Sequence, residues 1–250
     1  MTDTAQETIL VGMDAHSEKI SLCVTRWRLG SDPVVIKNIT TDLDSLENTY
    51  RKQVPAGALT VLEASTNAFS IVRRLGAVGQ RAEVLASDTL AGRARSDRVN
   101  DRIDAQNLAF AHARGGTRRV HVPSPRHQHW RDIFFGHRNA VKDSTRWSNR
   151  IWAFCSGHGL KLPRESFHRK ADAVRAEVAG YGWTQEEKFH LETLLLEDEH
   201  SMDLRGRYEK LIARIVSETP GMTRLMQMLG VRFIVAFALF TFVEDASRFA

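Results

Sequence analysis

Ile9-Leu10-Val11-Gly12-Met13-Asp14 is an apolar run that ends in an acid. A short apolar run bounded by a polar turn reads as a buried strand, and a polar turn, Ala15 to Lys19, follows at once. Ile20-Ser21-Leu22-Cys23-Val24 then alternates strictly, which is the period of a half-buried strand. Leu29-Gly30-Ser31-Asp32-Pro33 makes the next turn, and Val34-Val35-Ile36 a third strand. Three consecutive strands on short turns imply an antiparallel meander. Thr41 or Asp42 caps a helix through about Lys52. Leu59-Thr60-Val61-Leu62-Glu63 is a fourth strand, and it too ends in an acid. Ala68 to Leu75 reads as a helix stopping at Gly76 or Gly79, and Ala82 to Leu85 as a short fifth strand. A last helix carries Ile103, Leu108, Phe110 and Ala111 and ends at Gly115-Gly116.

The order βββ, α, β, α, β, α is that of the α/β ribonuclease H-like fold. That fold brings its first strand, its fourth strand and its last helix to one sheet edge. Asp14 and Glu63 end the two strands, and acids at the C-terminal ends of strands face a crevice rather than the core. Asn100-Asp101-Arg102-Ile103-Asp104-Ala105 heads the helix, with Asp101 and Asp104 one turn apart on one face. An acidic first turn also complements the helix dipole. Carboxylates this close repel unless a cation lies among them, and hard divalent cations such as Mg²⁺ or Mn²⁺ prefer oxygen ligands. Asp14, Glu63, Asp101 and Asp104 are therefore the candidate catalytic and metal-ligating residues, with Asp14 the central ligand.

Hydrophobic residues make up 42% and charged residues 26% of the 250, a globular composition rather than a disordered one. The opening Met1 to Thr8 holds no apolar signal segment, and the apolar run Phe233 to Val243 is about half the ~20 residues of a membrane span. The two cysteines, Cys23 and Cys155, form no cluster of metal-binding spacing. A cytoplasmic protein with no membrane segment is expected. Charge is uneven: Arg118 to Arg175 holds 13 Lys/Arg against 4 Asp/Glu, net +9, and the remainder is net −4. A basic middle points to an anionic partner, most simply nucleic acid, although a solvated helix face has the same composition.

Gly115-Gly116, Pro123 and Pro125 mark a linker. A long helix follows, from about His127 to Ser156. Ile133, Ala140, Trp147, Ile151 and Phe154 form a seven-residue seam, with His137 and Ser144 as polar gaps. Arg131, Arg138, Lys142, Arg146 and Arg150 make a separate basic stripe, the candidate nucleic-acid-binding residues. Phe167, Ala171, Val174, Val178 and Tyr181 give a second seam, and Thr184 with Glu187 is a capping box opening another helix. Such seams pack within one chain or zip two chains together. Met228-Leu229-Gly230-Val231 ahead of an apolar helix has helix-hairpin-helix grammar, which holds nucleic-acid backbone on amide groups; an ordinary αα-hairpin reads the same way.

Val11-Gly12-Met13-Asp14-Ala15-His16, Leu62-Glu63-Ala64-Ser65 and Asn100-Asp101-Arg102-Ile103-Asp104-Ala105 resemble the IS110-type insertion-sequence transposases, the DEDD recombinases. That family writes the last stretch Lys-Thr-Asp-x-x-Asp-Ala, so Val99-Asn100 departs while both acids stand. Met228-Leu229-Gly230-Val231-Arg232 is similar to its Ile-Pro-Gly-Ile-Gly turn, with Leu229 and Arg232 replacing Pro and the second Gly. Glu244-Asp245-Ala246-Ser247-Arg248-Phe249 resembles its Gly-Asp-x-x-Arg-Phe.

The resemblance implies a RuvC-like DEDD nuclease domain over 1–117, a basic helical coiled-coil region over 118–218, and the start of a C-terminal transposase domain over 219–250. It implies a DNA transposase with Mg²⁺ or Mn²⁺ as cofactor, acting on DNA with an element-encoded structured RNA and as a homo-oligomer. The family's serine nucleophile follows the Arg-Phe signature, in a stretch this chain does not contain. Ser247 is the nearest candidate, with a turn or cap role as the other reading. A resolvase or structure-selective nuclease of the same fold would work through the acids alone, and a binding-only transposase remnant would not cut at all. An actin-like ATPase also opens on a strand ending in Asp, but Asp14-Ala15-His16-Ser17-Glu18 lacks its Gly-rich phosphate loop.

Overall fold

The computed structural model describes residues 9–16, 19–26, 34–40, 42–87, 101–115, 117–162 and 171–249. The chain forms two compact units, Met1–Val122 and Pro123–Ala250.

The first unit is mixed α/β. Its strands are β1 (Ile9–Ala15), β2 (Lys19–Arg26), β3 (Val34–Thr40), β4 (Leu59–Glu63), β5 (Arg81–Leu85) and β6 (Arg119–Val120), and its helices are α1 (Leu43–Gln53), α2 (Ala68–Ala77) and α3 (Asp101–Ala113). The six strands lie in the order β3-β2-β1-β4-β5-β6. The expected meander is present: β1 pairs antiparallel with β2 and β2 with β3. β1–β4 and β4–β5 are parallel. Strand β6 pairs antiparallel with β5; at two residues it is too short for alternation to announce it. It carries the unit to Val122, past the boundary the sequence placed after residue 117.

Alternation sorts the strands into two faces, since successive side chains point to opposite sides. Val11, Met13, Ile20, Leu22, Leu62 and Val84 pack with Leu46, Tyr50, Ile71 and Leu75 of α1 and α2. Leu10, Leu59, Val61 and Leu85 pack with Leu108 and Ala109 of α3. Asp42 caps α1, its carboxylate accepting the N–H of Ser45 at 2.8 Å. On the α1 side, Tyr50 Oη and Thr60 Oγ1 pair with each other at 2.9 Å.

The second unit is helical: α4 (Pro125–Gly157), α5 (Ala171–Val178), α6 (Gln185–Glu218), α7 (Pro220–Leu225), α8 (Phe233–Val243) and a 3₁₀ turn at Ala246–Phe249. Helices α4 and α6 run antiparallel. Trp130 clusters with Ile212 and Val216 at one end, and Ile151 and Cys155 with Leu191, Leu194 and Leu195 at the other. Both polar gaps in the α4 seam meet polar partners on α6: His137 Nε2 lies 3.4 Å from Glu209 Oε1, and the hydroxyls of Ser144 and Ser148 each donate to Asp198 at 3.3 Å. The Thr184–Glu187 capping box opens α6. Of the second seam, Ala171, Val174 and Val178 are buried in α5, Tyr181 lies past its end, and Phe167 lies outside the described residues.

Segment 219–250, expected as a separate domain, belongs to this same unit. Met222 and Phe237 share a cluster with Trp130, Ile212 and Val216. Among the described residues no helix is long and apolar enough to cross a membrane.

Candidate functional site

Strand alternation decides where the acids point. Leu10 and Leu59 lie on the α3 face, so positions 12 and 14 of β1 and 61 and 63 of β4 lie on it too. Register pairs Met13 with Leu62; one step further along both strands stand Asp14 and Glu63, on neighbouring parallel strands about 4.8 Å apart. Asp14 pairs on its other side with Ser21 of β2. Both acids are half-buried at the strand ends.

Gly12 brings α3 to them. A Cβ at Gly12 would collide with the backbone carbonyl of Ala105 and would lie 3.0 Å from the backbone nitrogen of Ala109. The helix therefore rests directly on β1, two residues before Asp14. Asp104, half-buried, immediately precedes the point of contact. Asp101 opens α3 one turn earlier; its side chain lies outside the described residues. The fold thus turns Asp14 and Glu63 toward the helix whose first turn carries the other two acids.

His16 Nε2 lies 3.0 Å from Asp14 Oδ2, with the imidazole largely exposed and the carboxylate largely covered. The ring orients Asp14 from the solvent side. Asp14 and Glu63, on one sheet face, and Asp104, on the helix packed against it, are oxygen donors of the kind Mg²⁺ and Mn²⁺ take. Among the described residues no group of three His, Cys, Asp or Glu side chains stands together closely enough to hold an ion, so Asp14, Glu63 and Asp104 are not gathered into such a group, and Asp101 was not part of that set.

The basic residues occupy α4, which Ser124 caps by accepting the N–H of His127 at 3.4 Å, with Pro125 in the first turn. Arg138, Lys142, Arg146 and Arg150 are exposed, on the side of the helix away from Ala140, Ile151 and Cys155, which are buried. Arg146 donates to Asp143 Oδ1 at 2.8 Å, and the Arg150 guanidinium stacks 4.5 Å over Trp147. Asn139 and Asn149 are exposed on the same side; amides were not part of the charge signal. Arg131 stands apart from the stripe. Its guanidinium packs 5.2 Å over Phe242, its Nε is buried without a hydrogen-bond partner, and burial lowers its pKa against the opposing pull of Glu244.

Ser247 sits in the 3₁₀ turn, with its N–H and its hydroxyl both donating to Asp245, at 2.9 and 2.7 Å. Those bonds are the ones a turn cap makes. Comparison with known protein families and with characterised proteins finds no match to this chain.

Proposed function

We propose that the first unit is a ribonuclease H-like, RuvC-like domain. We further propose that the chain is an insertion-sequence DNA transposase or recombinase whose phosphodiester chemistry uses Asp14, Glu63, Asp101 and Asp104 with Mg²⁺ or Mn²⁺. The observation that carries this reading is the shared orientation of Asp14 and Glu63 on adjacent parallel strands, under a helix seated by Gly12. The strand order β3-β2-β1-β4-β5 supports it. A bound divalent ion would polarise the phosphodiester and stabilise charge on the attacking and leaving oxygens. Asp14 would hold the ion centrally, with Glu63 and Asp104 as flanking ligands. Asp101 adds a ligand or a base. His16 keeps Asp14 turned to the site. Arg138, Lys142, Arg146 and Arg150 hold DNA, or the element's structured RNA, by phosphate contacts.

Thermal melting tests the metal site. Mg²⁺ or Mn²⁺ raises the Tm of the parent, and Asp14→Ala abolishes the rise. Without metal, Asp14→Ala melts at the parent temperature or above it, because it removes one of several mutually repelling carboxylates. A parent curve indifferent to both ions sinks the site. DNA nicking that Asp14→Ala abolishes, with no protein–DNA adduct at any stage, moves the reading to a resolvase-like nuclease.

A further inference from the structure

Helices α7 and α8 are joined by residues 226–232. The two helices it joins are seated on each other. Met222 is fully buried, and a Cβ at Gly221 would run into the ring of Phe240, so α7 lies directly on α8. Gly230, at φ +81, turns the chain. The turn, closed by the Val231 N–H donating to Met228 O at 3.1 Å, carries three large apolar side chains outward: Met226 is 42% exposed, Met228 59% and Leu229 106%. Arg224 and Arg232, both exposed, flank them, and from Thr219 to Arg232 the sequence has no Asp or Glu.

A leucine held wholly in water contributes little to its own fold, and here it stands beside two more exposed apolar side chains and two arginines. Three side chains on a seven-residue turn are far short of the ~800 Å² per partner of a stable protein interface. They also fall short of lasting membrane attachment, since even one acyl chain binds a bilayer only marginally. They match what a wedge between base pairs needs: one or two apolar side chains projecting from a tight turn, with cations beside them for the phosphates. We propose that the 226–232 turn is such a wedge. Leu229, backed by Met228, enters a base-pair step of a duplex and kinks it, while Arg224 and Arg232 hold the flanking phosphates. The proposal rests on the reading of the chain as a nucleic-acid-processing protein, and it adds how the duplex is deformed.

The test uses the full chain and duplexes carrying a fluorescent adenine analogue, which brightens on unstacking, at successive positions. The parent brightens the analogue at one step. Leu229→Ser, a change at a fully exposed position that leaves the Tm unchanged, loses the brightening but keeps the salt dependence of binding. Arg224→Gln with Arg232→Gln flattens the salt slope by about one to two units. Brightening that survives in Leu229→Ser overturns the wedge, as does a parent that binds without unstacking any step. So does a Leu229→Ser effect confined to self-association or to anionic vesicles. A parent that binds no nucleic acid at any salt concentration sinks the underlying reading as well, which separates the two failures.

Discussion

The sheet of the first unit and the α4/α6 pair of the second differ in what they enclose. Inside the sheet, the buried polar groups among the described residues are hydroxyls: Ser21, Thr25 and Thr60. Between the long helices lie His137, Asp198 and Ser201. A sheet needs no charge to fix its register, because a one-residue slip turns every core side chain to the wrong face. Two helices with heptad seams can slide by a repeat and stay apolar inside, and a polar pair at one level removes that freedom. The Asp198 contacts with Ser144 and Ser148, and His137 with Glu209, occupy such levels. In the first unit the acids stand at strand ends, where they can meet a ligand. In the second, the interior acid is spent on alignment.

The largest effect that would break this contrast is at Gly12. Gly12→Ala sets a methyl against the Ala105 carbonyl, backbone against which no side chain can yield. It should destabilise the first unit by about 4 kcal/mol or more, the range reserved for severe overpacking. Hydrogen exchange of β1 and α3 amides should accelerate while α4 and α6 amides exchange as before. Unchanged protection of α3 would mean that the helix is not seated on Gly12, and the acid edge would lose its support.

The second test sharpens the contrast through pH. Asp198 and Glu209 lie on the same helix with opposite shifts. Burial raises the Asp198 pKa, against the serine hydrogen bonds. The hydrogen bond from Arg205 lowers that of Glu209, helped by His137. A raised carboxylate binds more protons folded than unfolded, so its contribution is full below the unfolded pKa and is lost as pH rises through the folded one. A lowered carboxylate contributes above its unfolded pKa and loses that contribution as pH falls through the folded one. Asp198→Asn should therefore be more stable than the parent at pH 7 and converge with it on acidification. Glu209→Gln should be less stable at pH 7 and also converge in acid. Urea titrations of both variants at several pH values check this, and two differences of the same sign at pH 7 would refute it.

What the sequence announced, and what it hid, follows the same division. The strands of the first unit carry their own face assignment, so Asp14 and Glu63 were legible as strand-end acids from alternation alone. The contact that brings α3 to them was not, because Gly12 matters through an absent Cβ. On α4 the heptad seam showed His137 and Ser144 as gaps, but nothing local named Glu209 and Asp198 as their partners some 50 to 70 residues away. Arg131 shares the spacing of the basic stripe, and only α8, folding back, gives it Phe242 and Glu244 as neighbours. Strand β6 and the packing of 219–250 with α4 and α6 were hidden for the same reason, since both depend on contacts distant in sequence.

The smallest effect concerns a place where the second unit ties polar alignment to backbone strain. Glu244 has φ +59, the only positive φ outside glycine among the described residues. It stands where the resembling signature writes Gly. Its Oε1 accepts the N–H of Ser124 at 3.0 Å and lies 3.1 Å from His127 Nδ1, tying the end of α8 to the start of α4. With ψ −58 and the Asp245 N–H donating to Val243 O, Glu244 sits in the rare, strained form of γ-turn, which costs a residue with a Cβ about 1 kcal/mol or more, and charge-assisted hydrogen bonds return about 1.5–3 kcal/mol. Glu244→Ala keeps the strain and loses the bonds, so it should cost about 2 kcal/mol. Glu244→Gly loses the bonds and the strain together, so it should be about 1 kcal/mol more stable than the alanine variant. That order reverses the usual preference for alanine over glycine near a helix. Chemical unfolding of the two variants side by side isolates the strain, because the lost contacts cancel. An alanine variant as stable as the glycine one would show that the positive φ carries no cost, and that Glu244 is held by its contacts alone.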